Sequence, residues 1–201
     1  MNSRGRVCPP CSFGKPPMSL AHVILGLLQQ QERTGYDLKT ECFDDCISHL
    51  WQADQAQIYR TLDKLESQGW ITCTVEIQHD RPNRKVYRIT EAGEAELTHW
   101  LQTHHPLPVL REPLLVQLYF AAQLPNEAIV YLLEQELEAR QEKLAQCEAI
   151  EALSLSNPTA SRKQKLHQLV LDLVKQREQT YLDWLEKAIR AMHTLRDRNN
   201  P

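Results

Sequence analysis

A mainly α-helical chain carrying one small β-hairpin is predicted from three observations. Apolar residues recur every three or four positions through most of the sequence, the helical period. The period drops to two over residues 71–77 and again over 85–89, the mark of strands. After a Pro-containing break at residues 104–108 it returns to helical and stays there. The 201 residues, 42% hydrophobic and 24% charged, have the composition of an ordinary globular protein and can bury a core without disulfides. No apolar run reaches the roughly 18 residues that a membrane span needs. The longest, residues 20–28, contains His22, follows a Pro-rich stretch and lacks a cleavage site after it. It does not read as a secretory signal, and a cytoplasmic location is expected.

Residues 1–17 carry Pro9, Pro10, Pro16 and Pro17 with Gly5 and Gly14 and read as a flexible arm, with Met18 as a natural start of the folded part. Ser19 is placed to cap a helix bearing Leu20, Val23, Ile24, Leu27 and Leu28. Thr34-Gly35 is a turn and the cap of a second helix, through Tyr36 and Leu38 to about Ile47. Asp54 caps a third, where Ile58, Leu62 and Leu65 recur at steps of four and three, and Gly69 stands just past its end. The alternation from Ile71 to Ile77, a polar loop with Pro82 and Asn83, and a strand from Lys85 to Ile89 form a hairpin. Thr90 then caps another helix, with Glu91 and Glu94 in its first turn.

Three helices followed by a hairpin are the order of a winged helix-turn-helix, with a two-stranded wing, assigned to residues 18–105. Residues 106–201 form a second, α-helical domain. It comprises a short helix at 112–122, a long one at 126–153, a loop at 154–161 and a last helix. That last helix bears Leu166, Val170, Leu173, Tyr181, Trp184 and Ala188 on one stripe, interrupted at Arg177. About 30 helical residues extend roughly 45 Å. The stripe either closes an intramolecular hairpin with 126–153 or meets a second copy, and dimerisation is the reading favoured.

In a winged helix-turn-helix the third helix enters the DNA major groove. Gln55 and Gln57 suit adenine edges, Arg60 suits guanine or phosphate, and Tyr59 and Lys64 are read as facing outward. At the wing, Arg81, Asn83, Arg84 and Lys85, with Arg88 on the return strand, suit phosphates or a minor-groove insertion. Tyr36 and Lys39 are placed to reach the backbone, although Tyr36 reads equally as core. The charge balance opposes this. The net charge is −3, and residues 18–105 hold 8 Lys or Arg against 13 Asp or Glu, whereas a DNA-binding domain is expected to be basic.

The cysteines are too few for a disulfide scaffold. Cys73 and Cys147 lie on apolar stripes and read as core. Cys8, Cys11, Cys42 and Cys46 leave three readings open: a zinc site, a thiol-disulfide sensor, or no function. Neither pair has the twinned spacing usual for zinc, and no metal or cofactor is assigned. The eight histidines are scattered, and neither a phosphate loop nor a nucleophile elbow is present, so no catalytic residue is assigned.

Residues 18–28 (MSLAHVILGLL), 34–38 (TGYDL), 58–66 (IYRTLDKLE) and above all 81–93 (RPNRKVYRITEAG) resemble the PadR family of transcriptional regulators. Residues 111–115 (REPLL), 118–120 (LYF) and the long helices resemble its larger subgroup, which has a helical C-terminal dimerisation domain. Ala56 and Gln57 depart from the small residue and hydroxyl common in the family's recognition helix. The resemblance implies a homodimeric repressor that binds a pseudo-palindromic operator, often released by a small molecule near the dimer interface. Tyr119, Phe120, Tyr131, Tyr181 and Trp184 are candidates to line such a pocket. Two alternatives remain: a thiol-responsive DNA-binding regulator, and a winged-helix protein-interaction module that does not bind DNA.

Overall fold

The computed structural model describes residues 19–77, 83–107, 111–154 and 161–195. The chain divides into two compact units, Met1–Val109 and Leu110–Pro201. The arm at 1–17, with Cys8 and Cys11, and the wing-tip residues Arg81 and Pro82 lie outside the described residues.

In the first unit, α1 (Leu20–Gln30) buries Ile24, Leu25, Leu27 and Leu28. Ser19 occupies the N-cap but does not cap with its side chain. Its hydroxyl instead meets His22 Nδ1 at 2.8 Å, because an imidazole one turn on competes for it. A two-residue strand, β1 (Arg33–Thr34), follows. Thr34 then caps α2 (Gly35–Asp37) in a capping box: Asp37 N donates to Thr34 Oγ1 and Thr34 N to Asp37 Oδ2, both at 3.0 Å. From Leu38 to Cys46 the helix widens into a π-helix, where i→i+5 hydrogen bonds replace i→i+4. Its buried residues suit that pitch, since Leu38, Cys42 and the half-buried Ile47 are spaced by four and five.

Helix α3 (Gln55–Ser67) begins on a second capping box, Asp54 with Gln57, and buries Ile58, Leu62 and Leu65. It ends at Gly69, whose φ of 71° lies in the left-handed region that closes helices. Strands β2 (Ile71–Glu76) and β3 (Arg84–Ile89) pair antiparallel, Cys73 opposite Tyr87. Strand β1 joins the other edge of β3, Arg33 opposite Tyr87 and Thr34 opposite Val86, so the expected two-stranded wing is present as part of a three-stranded sheet. Of the alternating residues in β2, Ile71 is buried and Cys73 half-buried, while Val75 and Ile77 are exposed. Helix α4 (Glu91–Gln102) is capped by Thr90, whose Oγ1 accepts from Gly93 N at 3.1 Å and donates to Gly69 O at 2.7 Å. The core joins α1, the π-helix, α3, β2, β3 and α4 around Tyr87, Phe43, Ile58 and Leu62. Burying each such side chain stabilises the unit by roughly 1.5–3 kcal/mol.

The second unit holds α5 (Pro113–Phe120), a 3-10 turn (Ala121–Gln123), α6 (Asn126–Ser154) and α7 (Arg162–Thr194). Ser161 and Gln164 form the capping box of α7. The two long helices do form the intramolecular hairpin, α7 turning Leu171, Leu182 and Leu185 inward. Asn126 Nδ2 fastens the ends by donating to Leu195 O at 2.7 Å. Between the helices Glu178, 3% exposed, accepts from Arg140 Nη1 at 2.9 Å and Lys143 Nζ at 2.5 Å. Arg140 also bonds Glu136 and lies 3.8 Å over the Tyr181 ring. Burial alone would raise the Glu178 pKa, but the two cations outweigh it and hold the carboxyl below its usual range.

Candidate nucleic-acid interface

With Ile58, Leu62 and Leu65 turned inward, α3 exposes Gln55, Ala56, Gln57, Arg60, Asp63 and Lys64. Tyr59 is a correction to the outward reading. It is half-buried, and its ring stands where a Cβ on Gly35 would fall, 2.6 Å away. The glycine at the start of α2 is therefore required by the close approach of α3, and Tyr59 sets the spacing of the two helices.

Gln57 is exposed but engaged. Its Oε1 accepts from Asp54 N at 3.1 Å, and its own N–H donates to Asp54 Oδ1 at 2.7 Å. A bidentate adenine contact needs both ends of the carboxamide, so Gln57 can make one only by leaving the cap. The spacing Asp54-x-x-Gln57 is itself the sequence signal for this role. Gln55 is exposed. Arg60 is exposed with its Nε on the carbonyl of Ala56 at 3.2 Å. Tyr36, at the start of α2, is 64% exposed, which removes the core alternative.

The cations of the wing side fall into two groups. Arg84 Nη2 donates to Asp37 Oδ2 at 2.6 Å, Lys39 pairs with Asp44, and Arg88 pairs with Glu32. Burial pushes the Asp37 carboxyl up, but the Thr34 N–H and hydroxyl together with the Arg84 guanidinium prevail and hold it below its usual value. Lys64 and Lys85 are exposed and, among the described residues, in no ion pair. Asn83 is exposed at the foot of β3. The arrangement is a convex helix flanked by a sheet, with free lysines on both and several arginines parked on carboxylates. Such a surface fits a groove in a polyanion.

On the second unit, Leu166, Val170, Leu173 (59%) and Trp184 (39%) are exposed along α7, as an unfilled interface would be. Ala188 is not part of that face, and Tyr181 lies only at its border. They pack against the cluster of Leu114, Ile129, Leu133 and Leu185, because α7 uses its opposite side for the hairpin. The five aromatic residues read as one pocket are not gathered. Tyr181 and Trp184 line a hollow of about 530 Å³ with Leu115, Leu173 and Thr180, whereas Tyr119, Phe120 and Tyr131 are exposed elsewhere.

The Cys42 thiol is buried, and its pKa is pushed up to about 11, by burial first and the neighbouring Cys46 next. A thiol so raised is a poor nucleophile, which weighs against a sensor built on this pair. Among the described residues no group of three or more His, Cys, Asp or Glu is arranged to hold a metal ion. No helix among them is long and apolar enough to cross a membrane.

Residues 24–99 match the model of the transcriptional regulator PadR-like family, and residues 110–193 match that of the virulence activator alpha C-terminal region. The chain is 33% identical over 179 residues to the negative transcriptional regulator PadR of Bacillus subtilis (strain 168), covering 85% of this chain and 95% of the relative. A crystal structure of that protein in complex with operator DNA superposes with a TM-score of 0.73, covering 86% of this chain and 98% of the other at 31% identity. Its structure with p-coumaric acid gives 0.70 at 30% identity, covering 87% and 98%. The virulence activator AphA of Vibrio cholerae also gives 0.70, at 29% identity with the same coverage.

Proposed function

The chain belongs to the PadR-like family of transcriptional regulators, and on that premise we propose that it is a homodimeric, sequence-specific DNA-binding repressor acting in the cytoplasm. The observation that carries the reading is the winged unit itself. A doubly capped scaffold presents α3 with Gln55, Arg60 and Lys64 outward, and strand β3 of the same unit carries the exposed Arg84 and Lys85. Its likeness to a relative solved on operator DNA extends over nearly the whole of both chains.

In this reading α3 enters the major groove, Arg60 and Gln55 reach base edges, and Lys64 and Lys85 hold phosphates. Arg81, Asn83, Arg84, Tyr36 and Lys39 extend the backbone contact, and Tyr59 and Gln57 position the helix. The exposed stripe Leu166, Val170, Leu173 and Trp184 pairs with its equivalent on a second copy, so that two winged units meet two half-sites about a two-fold axis. A small aromatic carboxylic acid, of the kind the solved relative holds, would lodge in the hollow beside Tyr181 and Trp184 and shift the population that binds the operator. No catalytic step belongs to this function.

Selection of bound fragments from a genomic library, followed by gel-shift titration of the enriched sequence and a scrambled duplex at one salt, tests it. Enrichment of one pseudo-palindrome, bound at least a thousandfold more tightly than the scramble, is expected. Equal affinity for both duplexes, or none for either, overturns it and leaves the protein-interaction alternative.

A further inference from the structure

Among the described residues of the helical unit, two buried polar atoms lack a hydrogen-bond partner, Glu112 Oε2 and the Tyr181 hydroxyl. Glu112 holds the N-cap position of α5, yet its side chain does not cap that helix. It faces Arg140 instead, whose Nη2 stops 3.7 Å from Oε2, beyond hydrogen-bonding distance. Arg140 is not free to close the gap. Glu136 holds its Nε at 2.7 Å, Glu178 holds its Nη1 at 2.9 Å, and the guanidinium lies 3.8 Å over the Tyr181 ring. Glu112, Arg140 and Tyr181 border one hollow of about 270 Å³, which Gln117 of α5 and Gln135 and Glu136 of α6 also line. Native folds leave few buried polar atoms unpaired, so two beside one hollow call for a bound group.

From this arrangement we infer that the hollow is a binding site for a small neutral polyol, a sugar or cyclitol, with one hydroxyl held among Glu112, Arg140 and Tyr181. A hydroxyl completes all three at once. Its proton goes to Glu112 Oε2, and its oxygen accepts from Arg140 Nη2 and from the Tyr181 hydroxyl. Burial, and after it the Glu112 carboxylate, push the Tyr181 pKa above its usual value, so the phenol keeps the proton it must donate. Charged occupants are disfavoured on both sides. An anion would face the Glu112 and Glu136 carboxylates, and an ammonium would meet the fixed Arg140 edge. The carboxamides of Gln117 and Gln135 each donate and accept, which suits further hydroxyls. The volume lies just under the roughly 300–1,000 Å³ of drug-sized sites, so a single small ring fits. This site is separate from the effector hollow beside Trp184, whose walls include Leu115 and Leu173; Tyr181 alone borders both.

The test titrates the full chain with D-glucose and myo-inositol, and with D-glucosamine and D-glucuronate as cationic and anionic counterparts. Binding is read by calorimetry and by saturation-transfer NMR. At least one neutral polyol should bind with a Kd on the order of 1 mM or tighter, and more tightly than either charged sugar. Tyr181→Phe keeps the ring under Arg140 and removes only the hydroxyl, and affinity should fall about three- to tenfold. Glu112→Gln keeps the shape and removes the charge, and should weaken binding about tenfold or more. Gln117→Ala, at an exposed position outside the buried network, should also weaken it. No binding of either neutral polyol, affinity unchanged in all three variants, or tighter binding of a charged sugar overturns the site. A gel shift on the same preparation separates the two readings. Operator binding without polyol binding removes this site alone, whereas polyol binding without operator binding keeps the site and removes the proposed function.

Discussion

Replacing Asp37 by asparagine should weaken the fold and strengthen DNA binding, an opposition that follows from its two partners. Its carboxylate accepts the Thr34 N–H that starts α2 and also holds Arg84 at 2.6 Å. Asparagine keeps an oxygen for the cap and loses the charge. A lost cap costs about 1 kcal/mol, and since asparagine retains part of it a loss of up to about 1 kcal/mol is expected. The folded-state pKa lies below the ordinary 3.8. The charge therefore stabilises the protein above the unfolded-state value, and the contribution is lost as pH falls through the lower folded-state value. Wild type and variant should converge in stability once the pH falls below that folded-state value. On DNA the sign reverses. A fixed negative charge about 7 Å from a phosphate in water repels it by about 0.6 kcal/mol, about a threefold gain on removal, and Arg84 is released as well. Two companions complete the set. Lys85→Ala should flatten the salt slope by about 0.9, leaving about three- to fourfold less loss of affinity between 50 and 200 mM salt, with stability unchanged. Arg84→Ala should lose both stability and affinity. Urea unfolding and fluorescence anisotropy at four salt concentrations measure these quantities. Weaker operator binding by Asp37→Asn at every salt would refute the idea that Asp37 competes with phosphate for Arg84.

Leu173→Glu combined with Trp184→Glu should give a monomer by light scattering with operator affinity lost, whereas a dimer would remove α7 from the interface. Glu178→Ala leaves Arg140 and Lys143 without their shared buried carboxylate and should cost about 3–5 kcal/mol in denaturant unfolding of the helical unit; a loss under 1 kcal/mol would mean that the cations relax onto Glu136 and water. A Cβ on Gly93 would fall 2.1 Å from the Trp70 carbonyl, but one on Gly26 meets nothing within 4 Å. Gly93→Ala should therefore destabilise by about 1–3 kcal/mol or more, and Gly26→Ala, inside α1, should stabilise by about 0.5–1 kcal/mol, both read by thermal unfolding.

What was legible in the sequence is what depends on neighbours along the chain. Asp54, Gly69 and Thr90 mark real helix ends because caps and left-handed closures are chosen by residues within four positions. The hairpin register follows from its period of two. Strand β1 is not legible in the sequence because two residues carry no period, and its pairing with β3 joins positions over 50 residues apart. The π-helix carries no mark of its own in the sequence, since a spacing of four and five overlaps the tolerance of a 3.6-residue pattern. At the site, residue types indicated donors but not which donors were occupied. Arg84 and Asp37 lie 47 residues apart, and nothing local announces their bond. On α7 the apolar spacing in the sequence forms one stripe, although the folded helix has two apolar faces. Tyr181 and Ala188 turn to the hairpin, and Leu173 and Trp184 turn away.

Thr34 belongs to β1 and to the capping box of α2 at once, and Gly35 beside it takes the ring of Tyr59 from α3. Sheet, second helix and third helix are thus clamped at a single dipeptide, and the angle between wing and α3 has no soft joint in which to vary. A reader built this way cannot adjust its grip to a poorly matched half-site by bending. The DNA must deform instead, or the contact is lost. Tolerance of imperfect operators should then follow the flexibility of their base steps, with pyrimidine–purine steps between wing and helix footprints forgiven more readily than stiff A-tracts.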